Sequence, residues 1–283
     1  MKLSVFTVVT PDLTPEELGQ AAKEAGLDGI EWRFKEIPEA VKDEQPSFWR
    51  RNLCSIDPGA TDEELEKFAK VAADHGLETV SVTPYLTVGD LAATERVMQV
   101  AQKLGARMIR VGVPGYNRTA NYNDLYEQAV RYLHDVQDMS KQYGIKSLVE
   151  THHMTIAPSA GLAHRLVSGF DPEWIGVLFD PGNMIHEGFE NFRMGLELLG
   201  PYLAHVHIKN TGWEKGGRRE DGTVIWQSKW EPIDEGIVPW GQVFEDLKSV
   251  GYDGYIGVED FSGRYSSREL LKRFAEQVRA FVG

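Results

Sequence analysis

The chain has 283 residues, 42% hydrophobic and 26% charged, the composition of a globular protein with ample core rather than of a fibrous or disordered one. Forty-three acidic residues against 30 basic ones leave a net charge of −13. Such a field repels phosphate backbones and argues against extended nucleic-acid binding, though not against a small anion held by a few arginines. The single cysteine, Cys54, excludes an intrachain disulfide and fits a reducing, cytoplasmic setting.

The first apolar stretch stops at Thr10-Pro11-Asp12 with no small-x-small cleavage pattern behind it. It reads as a strand, LSVFTV (3–8), rather than as a secretory signal. Thr14-Pro15-Glu16-Glu17 then opens a helix over 15–25, with a capping threonine, proline in the first turn and acid beside it. GIEWR (29–33) is a second strand, followed by a long connection over 34–61 and a helix over 62–75. TVSVT (79–83), a helix over 89–104, RMIRV (107–111) and a helix over 123–143 come next. KSLVE (146–150), a helix over 159–168, GVLFD (176–180) and a helix over 191–199 repeat the unit. AHVHIK (204–209) leads into a second long connection, 210–239, and a helix over 240–250. YIGVE (255–259) and a helix over 267–281 close the chain, and glycines such as Gly26 and Gly76 follow several helix ends. No apolar run approaches the ~20 residues that span a bilayer, so no membrane is expected.

Eight strands alternating with eight helices predict an α/β protein, a single (β/α)8 TIM-barrel domain over 1–283. A doubly wound sheet would require a glycine-rich first βα turn, and no GxGxxG follows the first strand. Both long connections leave the C-terminal ends of strands, where barrel enzymes build their sites, and are lid candidates.

The last four predicted strands each carry a metal-ligating residue type at or near that end: Glu150, Asp180, His207 and Glu259. One buried carboxylate there is ordinarily a helix cap or the partner of an arginine, because burying it unpaired is costly. Four in phase on consecutive strands predict a shared metal. The fifth and eighth strands lie three steps apart around the ring, so Glu150 and Glu259 face each other with Asp180 and His207 between them. His205 and His207 share a face because the strand period is two. His207, nearer the rim, is assigned to the ion, and His205, one layer deeper, reads as a core or supporting histidine. Three carboxylates and an imidazole make a hard donor set for one divalent ion, favouring Mn, Mg or Co, with Zn also accommodated. Mn is the foremost expectation.

VETHH (149–153), FDPGN (179–183), HVHIKN (205–210) and GYDGYIGVED (251–260) carry a resemblance. With them the chain resembles, over essentially its full length, the xylose-isomerase-like TIM-barrel superfamily and its sugar phosphate isomerase/epimerase group. The resemblance implies that Glu150, Asp180, His207 and Glu259 bind one divalent metal, and that Glu150 and Glu259 are also the catalytic acid/base pair. It implies a metal-dependent sugar or sugar phosphate isomerase, either a ketose epimerase or an aldose–ketose isomerase. The proton next to a carbonyl would leave through a metal-stabilised enediolate. The same scaffold admits an inosose-type dehydratase on the same metal site, and a non-catalytic metal-dependent sugar-binding barrel. An endonuclease IV-like nuclease holds three zinc ions and has a histidine three residues after the aspartate matching Asp180, where this chain has Asn183. The expected partner is a small-molecule sugar, with no nucleic acid and no membrane, and the family's dimers and tetramers make a homo-oligomer an expectation.

His152, Asn183 and Lys209 are the substrate-binding candidates. Local backbone capping competes for the first two and an exposed rim position for the third. Arg110 and Glu31 read as structural, lining the barrel or pairing with one another. In the connection 210–239, Lys215, Arg218 and Arg219 form either an anion grip or a solvated flexible loop. Trp213, Trp226 and Trp230 there suit stacking on a sugar or a dimer contact.

Overall fold

The computed structural model describes residues 1–282. Its strands are β1 (Lys2–Phe6), β2 (Gly29–Phe34), β3 (Ser55–Ile56), β4 (Glu78–Pro84), β5 (Met108–Arg110) and β6 (Lys146–Glu150). They continue with β7 (Ile175–Phe179), β8 (Leu203–Ile208), β9 (Asn210–Arg218), β10 (Val224–Glu231) and β11 (Tyr255–Val258). β1, β2, β4, β5, β6, β7, β8 and β11 pair in parallel in that order, and β11 pairs back to β1, closing an eight-stranded ring. β3 extends the edge of β2 beyond the point where β1 stops, pairing Ser55 with Arg33.

The intervening helices are α1 (Pro15–Ala25), α2 (Asp62–His75), α3 (Leu91–Leu104), α4 (Tyr122–Tyr143) and α5 (Ala160–Val167). α6 (Pro181–Glu187), α7 (Phe192–Leu199), α8 (Trp240–Ser249) and α9 (Ser267–Val282) follow. Local chemistry sets their ends. Thr14 with Glu17, and Thr61 with Glu64, form reciprocal capping boxes that satisfy free backbone N–H groups at the starts of α1 and α2. The fold is the expected (β/α)8 TIM barrel. Among the described residues no helix is long and apolar enough to cross a membrane.

Period two along the strands separates two environments. Val5, Ile30, Trp32, Val206, Ile208, Ile256 and Val258 belong to the apolar core. The alternate positions Ser4, Glu31, His205, His207 and Gly257 meet one another inside the ring. Gly257 is required there by space: a Cβ on it would run into Glu31 Oε1 and lie 3.1 Å from His207 Cδ2.

Three expectations are corrected. The first strand ends at Phe6, and Thr7–Val9 form a 3-10 turn. The segment 210–239 is no open loop, because β9 and β10 fold it into an antiparallel hairpin. Its root is fixed by buried Asn210, which donates to the carbonyls of Ile233 (2.7 Å) and Val238 (3.3 Å) and accepts from Val238 N (2.9 Å). Finally, a short helix, α6, follows β7 directly, capped by Asp180, whose Oδ1 accepts from Asn183 N at 2.9 Å. It has Pro181 at its start and spans only two turns, too few for an amphipathic period to show.

Candidate metal centre

Glu150 is the last residue of β6, Asp180 follows β7, His207 lies in β8 and Glu259 follows β11. All four are buried, and each offers one ligand atom within 4.8 Å of the others. They converge because four parallel strands end at one rim with the same inward phase. Glu150 accepts from Arg110 Nη1 at 2.6 Å and from Asn183 Nδ2 at 3.1 Å. Burial works to raise the Glu150 carboxyl, but the Arg110 guanidinium outweighs it and holds the group below the usual carboxylate value. Arg110 and Glu31 therefore do not pair with one another, contrary to one sequence expectation.

Glu31, missed as a functional candidate, is fully buried beside both strand histidines. Its Oε2 lies 2.9 Å from His207 Nε2 and 3.0 Å from His205 Nε2, while Ser4 Oγ donates to its Oε1 at 2.7 Å. A carboxylate only accepts, so His207 Nε2 carries hydrogen and Nδ1 is the atom left facing Glu259, 3.7 Å away. His205 Nδ1 lies 3.1 Å from the Tyr255 carbonyl and donates to it. His205 thus has the deeper supporting place expected for it. The alternation GIEWR was the available signal, since it puts Glu31 on the inward face.

Lys209 is not an exposed rim lysine. It is 2% exposed, and its ammonium donates to Glu259 Oε2 and, at 2.8 Å, to Asp180 Oδ2. Burial would raise the Glu259 carboxyl, yet Lys209 and His207 hold it well below the usual value. Asp180, with burial dominant and two carboxylates nearby, is pushed up to about 7. Burial would lower the His207 pKa, but Glu31 and Glu259 raise it well above the usual histidine value.

These residues suit a divalent cation on their own chemistry. His207 Nδ1 is buried without a hydrogen-bond partner, and the Lys209 ammonium already bridges two of the carboxylates as a cation would. An ammonium and a metal ion compete for the same oxygens. Metal binding also requires the His207 Nδ1 proton to leave.

Above this cluster opens a cavity of about 620 Å³, lined by His152, Asn183, Lys209, Trp230 and Phe261 among others. His152 faces the cavity and also makes the local contact expected of it, its Nδ1 donating to the His153 carbonyl at 2.7 Å. Asn183 is committed more deeply. Its amide donates to Glu150 Oε1 and to Asp180 Oδ2 (3.0 Å), and its oxygen accepts from His153 Nδ1 (2.9 Å). Trp230 is the tryptophan of the hairpin that lines this cavity, whereas Trp213 and Trp226 are exposed. Lys215, Arg218 and Arg219 lie on the exposed part of the hairpin. A second cavity, about 650 Å³, opens by Lys146, Leu203 and Tyr252 and holds none of the four clustered residues.

A family model described as xylose isomerase-like TIM barrel matches residues 20–280. An inosose dehydratase of Mesomycoplasma hyopneumoniae is 33% identical over 147 residues, 48% of this chain and 47% of that protein. The chain spans about half the length of the curated relatives it matches. The 3-keto-D-glucoside 4-epimerase YcjR from E. coli superposes with a TM-score of 0.71 at 17% identity over 99% of both chains. The IOLI protein, solved with a binding zinc atom, superposes with a TM-score of 0.72 at 17% identity, over 100% of this chain and 96% of that one. At such identities the structural likeness speaks for the fold, and the family model speaks for descent. The chain belongs to the xylose isomerase-like TIM-barrel family.

Proposed function

We propose that the protein is a divalent-metal-dependent carbohydrate isomerase, foremost an epimerase, which removes the proton next to a ketone. Glu150, Asp180, His207 and Glu259 would hold one ion, Mn before Mg, Co or Zn. The observation that carries this reading is the convergence of those four buried side chains within 4.8 Å beneath an open cavity. When bound, the ion supplies Lewis acidity that steadies negative charge developing on a substrate oxygen.

The chain's own residues supply the rest. Glu150, kept ionised by Arg110, is ready to accept a proton. Glu259 approaches from β11, across the ring, and offers a second carboxylate to the other face of a planar intermediate. Epimerisation needs groups on both faces, whereas aldose–ketose isomerisation can proceed with one. Asn183 keeps Glu150 and Asp180 apart at fixed spacing, and Trp230 and Phe261 wall the cavity for a sugar ring. A second reading, an inosose-type dehydratase, rests on His152 and on the relative named above. With Nδ1 donating to the His153 carbonyl, His152 Nε2 is the nitrogen left to take up the proton removed next to the ketone and pass it to the departing hydroxyl, which leaves as water.

An NMR screen of ketoses, inososes and their phosphates in D₂O with Mn-loaded protein tests the reading. Deuterium entering the carbon next to the carbonyl is expected, with epimer or dehydrated product separating the two chemistries. A metal-loaded protein that exchanges no ketone proton would leave only a sugar-binding barrel.

Two further results are expected. Adding Mn or Mg to EDTA-treated protein should raise the melting temperature by several degrees, since free metal at 100 times Kd contributes about 2.7 kcal/mol. Identical melting curves with and without metal would remove the ion from the reading. Glu31→Gln should weaken metal binding about 10- to 100-fold by chelator competition, because the partner that orients His207 is altered. Unchanged affinity would reduce Glu31 to a charge partner for His205.

A further inference from the structure

Arg33 sits two residues beyond Glu31 on β2, on the same inward face and nearer the rim. It is fully buried, and its polar contacts are all neutral. Nη1 donates to Ser55 Oγ at 2.7 Å, Nη2 to the Trp49 carbonyl at 3.3 Å and Nε to the Tyr85 hydroxyl at 3.4 Å. Among the described residues no carboxylate forms an ion pair with it, nor with Lys35, which lines the cavity above the acidic cluster while Arg33 stays buried behind its wall. A guanidinium buried without an opposite charge is costly.

Three cations surround one ring here. Lys35 Nζ lies 4.8 Å from the Tyr85 ring centroid, with Arg110 at 5.2 Å and Arg33 at 5.6 Å. Arg110 alone among them has a carboxylate partner, Glu150. The Tyr85 hydroxyl accepts from Arg33, so its own hydrogen is left to donate. Burial and the Arg33 charge both lower the Lys35 pKa, the behaviour of an ammonium lacking a counter-ion. The cavity therefore has two walls of different charge pairing. One carries the carboxylates at the ends of β6, β7 and β11, already paired with Arg110 and Lys209, and the other carries Lys35 at the end of β2, with no carboxylate partner and the buried Arg33 charge behind it.

We propose that Lys35 and the Tyr85 hydroxyl, backed by the buried charge of Arg33, form an anion subsite on this wall, and that the substrate carries an oxyanion, phosphate or carboxylate, at the end remote from its reacting carbonyl. The subsite rests on the charges alone, whereas its use by a substrate rests on the metal-dependent reading above. Arg33 also ties β2 to β3 and to the segment around Trp49, so a purely structural role is the competing account. It predicts no anion affinity.

Titration calorimetry of Mg-loaded protein with inorganic phosphate, and separately with acetate, decides between them. Saturable binding is expected for one of the two, and which one binds identifies the anion class. Lys35→Met should weaken it about 10- to 100-fold, the effect of losing one charge-assisted hydrogen bond. Tyr85→Phe, which alters no charge, should weaken it less. Both variants leave Arg33 in place, and circular dichroism with Mg titration checks that fold and metal affinity are retained. No saturable binding by the unaltered protein, or equal binding by Lys35→Met, overturns the subsite. Should neutral ketones exchange deuterium while neither anion binds, the subsite falls and the enolisation reading stands. Lys35-dependent anion binding without exchange of any ketone gives the reverse.

Discussion

Glu150→Gln and Glu259→Gln should each lower turnover about 100- to 10,000-fold while retaining part of the metal affinity. Glutamine preserves the shape and one coordinating oxygen but cannot take up a proton. The two variants are not equivalent, because their surroundings differ. Glu150 is held by Arg110 and Asn183, and Glu259 by Lys209 and His207. If each carboxylate serves one face of an epimerase intermediate, neither variant gives net epimerisation, yet one still exchanges the substrate proton with solvent. If the enzyme is an isomerase, one glutamate dominates exchange and the other variant loses mainly affinity. Turnover, α-proton exchange and metal content are measured together, with a melting curve as control. That control matters because Glu150→Gln leaves Arg110 buried beside a neutral partner. Near-native turnover by both variants with metal still bound would move the chemistry to His152 or Lys209.

Gly257→Ala should destabilise the fold and weaken the metal site together. The added methyl collides with Glu31 Oε1, and neither neighbour has a free direction of retreat. Glu31 is held by Ser4, His205 and His207, and His207 stacks on Phe6 with ring centroids 5.8 Å apart. Overpacking of this kind costs about 1–3 kcal/mol, and any shift of Glu31 also releases His207 Nε2. Denaturant unfolding should show the stability loss, and chelator competition the lower metal affinity. A variant with native values for both would mean that the interior layer is looser than its contacts indicate.

Much of the barrel was legible because its determinants are local. The capping boxes at Thr14 and Thr61 and the alternation in GIEWR and AHVHIK each act within a few residues. The convergence of Glu150, Asp180, His207 and Glu259 followed from phase, since four inward residues at the ends of four neighbouring strands must meet. Residues whose meaning lies in a distant partner were harder. Glu31 finds His207 across 176 positions, and Arg110 finds Glu150 across 40, so neither pairing leaves a periodic trace. Lys209 continues the inward phase of His205 and His207, and its burial could have been inferred from that. The hairpin was hidden by polarity. Beyond Gly212 no residue of either strand is buried, so no core-facing period marks them, and the Asp221-Gly222 turn was the clearest cue. Arg33 shares the inward phase of Glu31, but nothing in the sequence signals that its partners are all neutral.

The central claim, one divalent ion held by these four residues, is tested most directly by crystals grown with Mn and examined by anomalous scattering. The expected result is a single strong peak within bonding distance of Glu150, Asp180, His207 and Glu259, with the Lys209 ammonium moved off the two carboxylates it now bridges. A map with no peak there, and with Lys209 still joining Asp180 to Glu259, would contradict it.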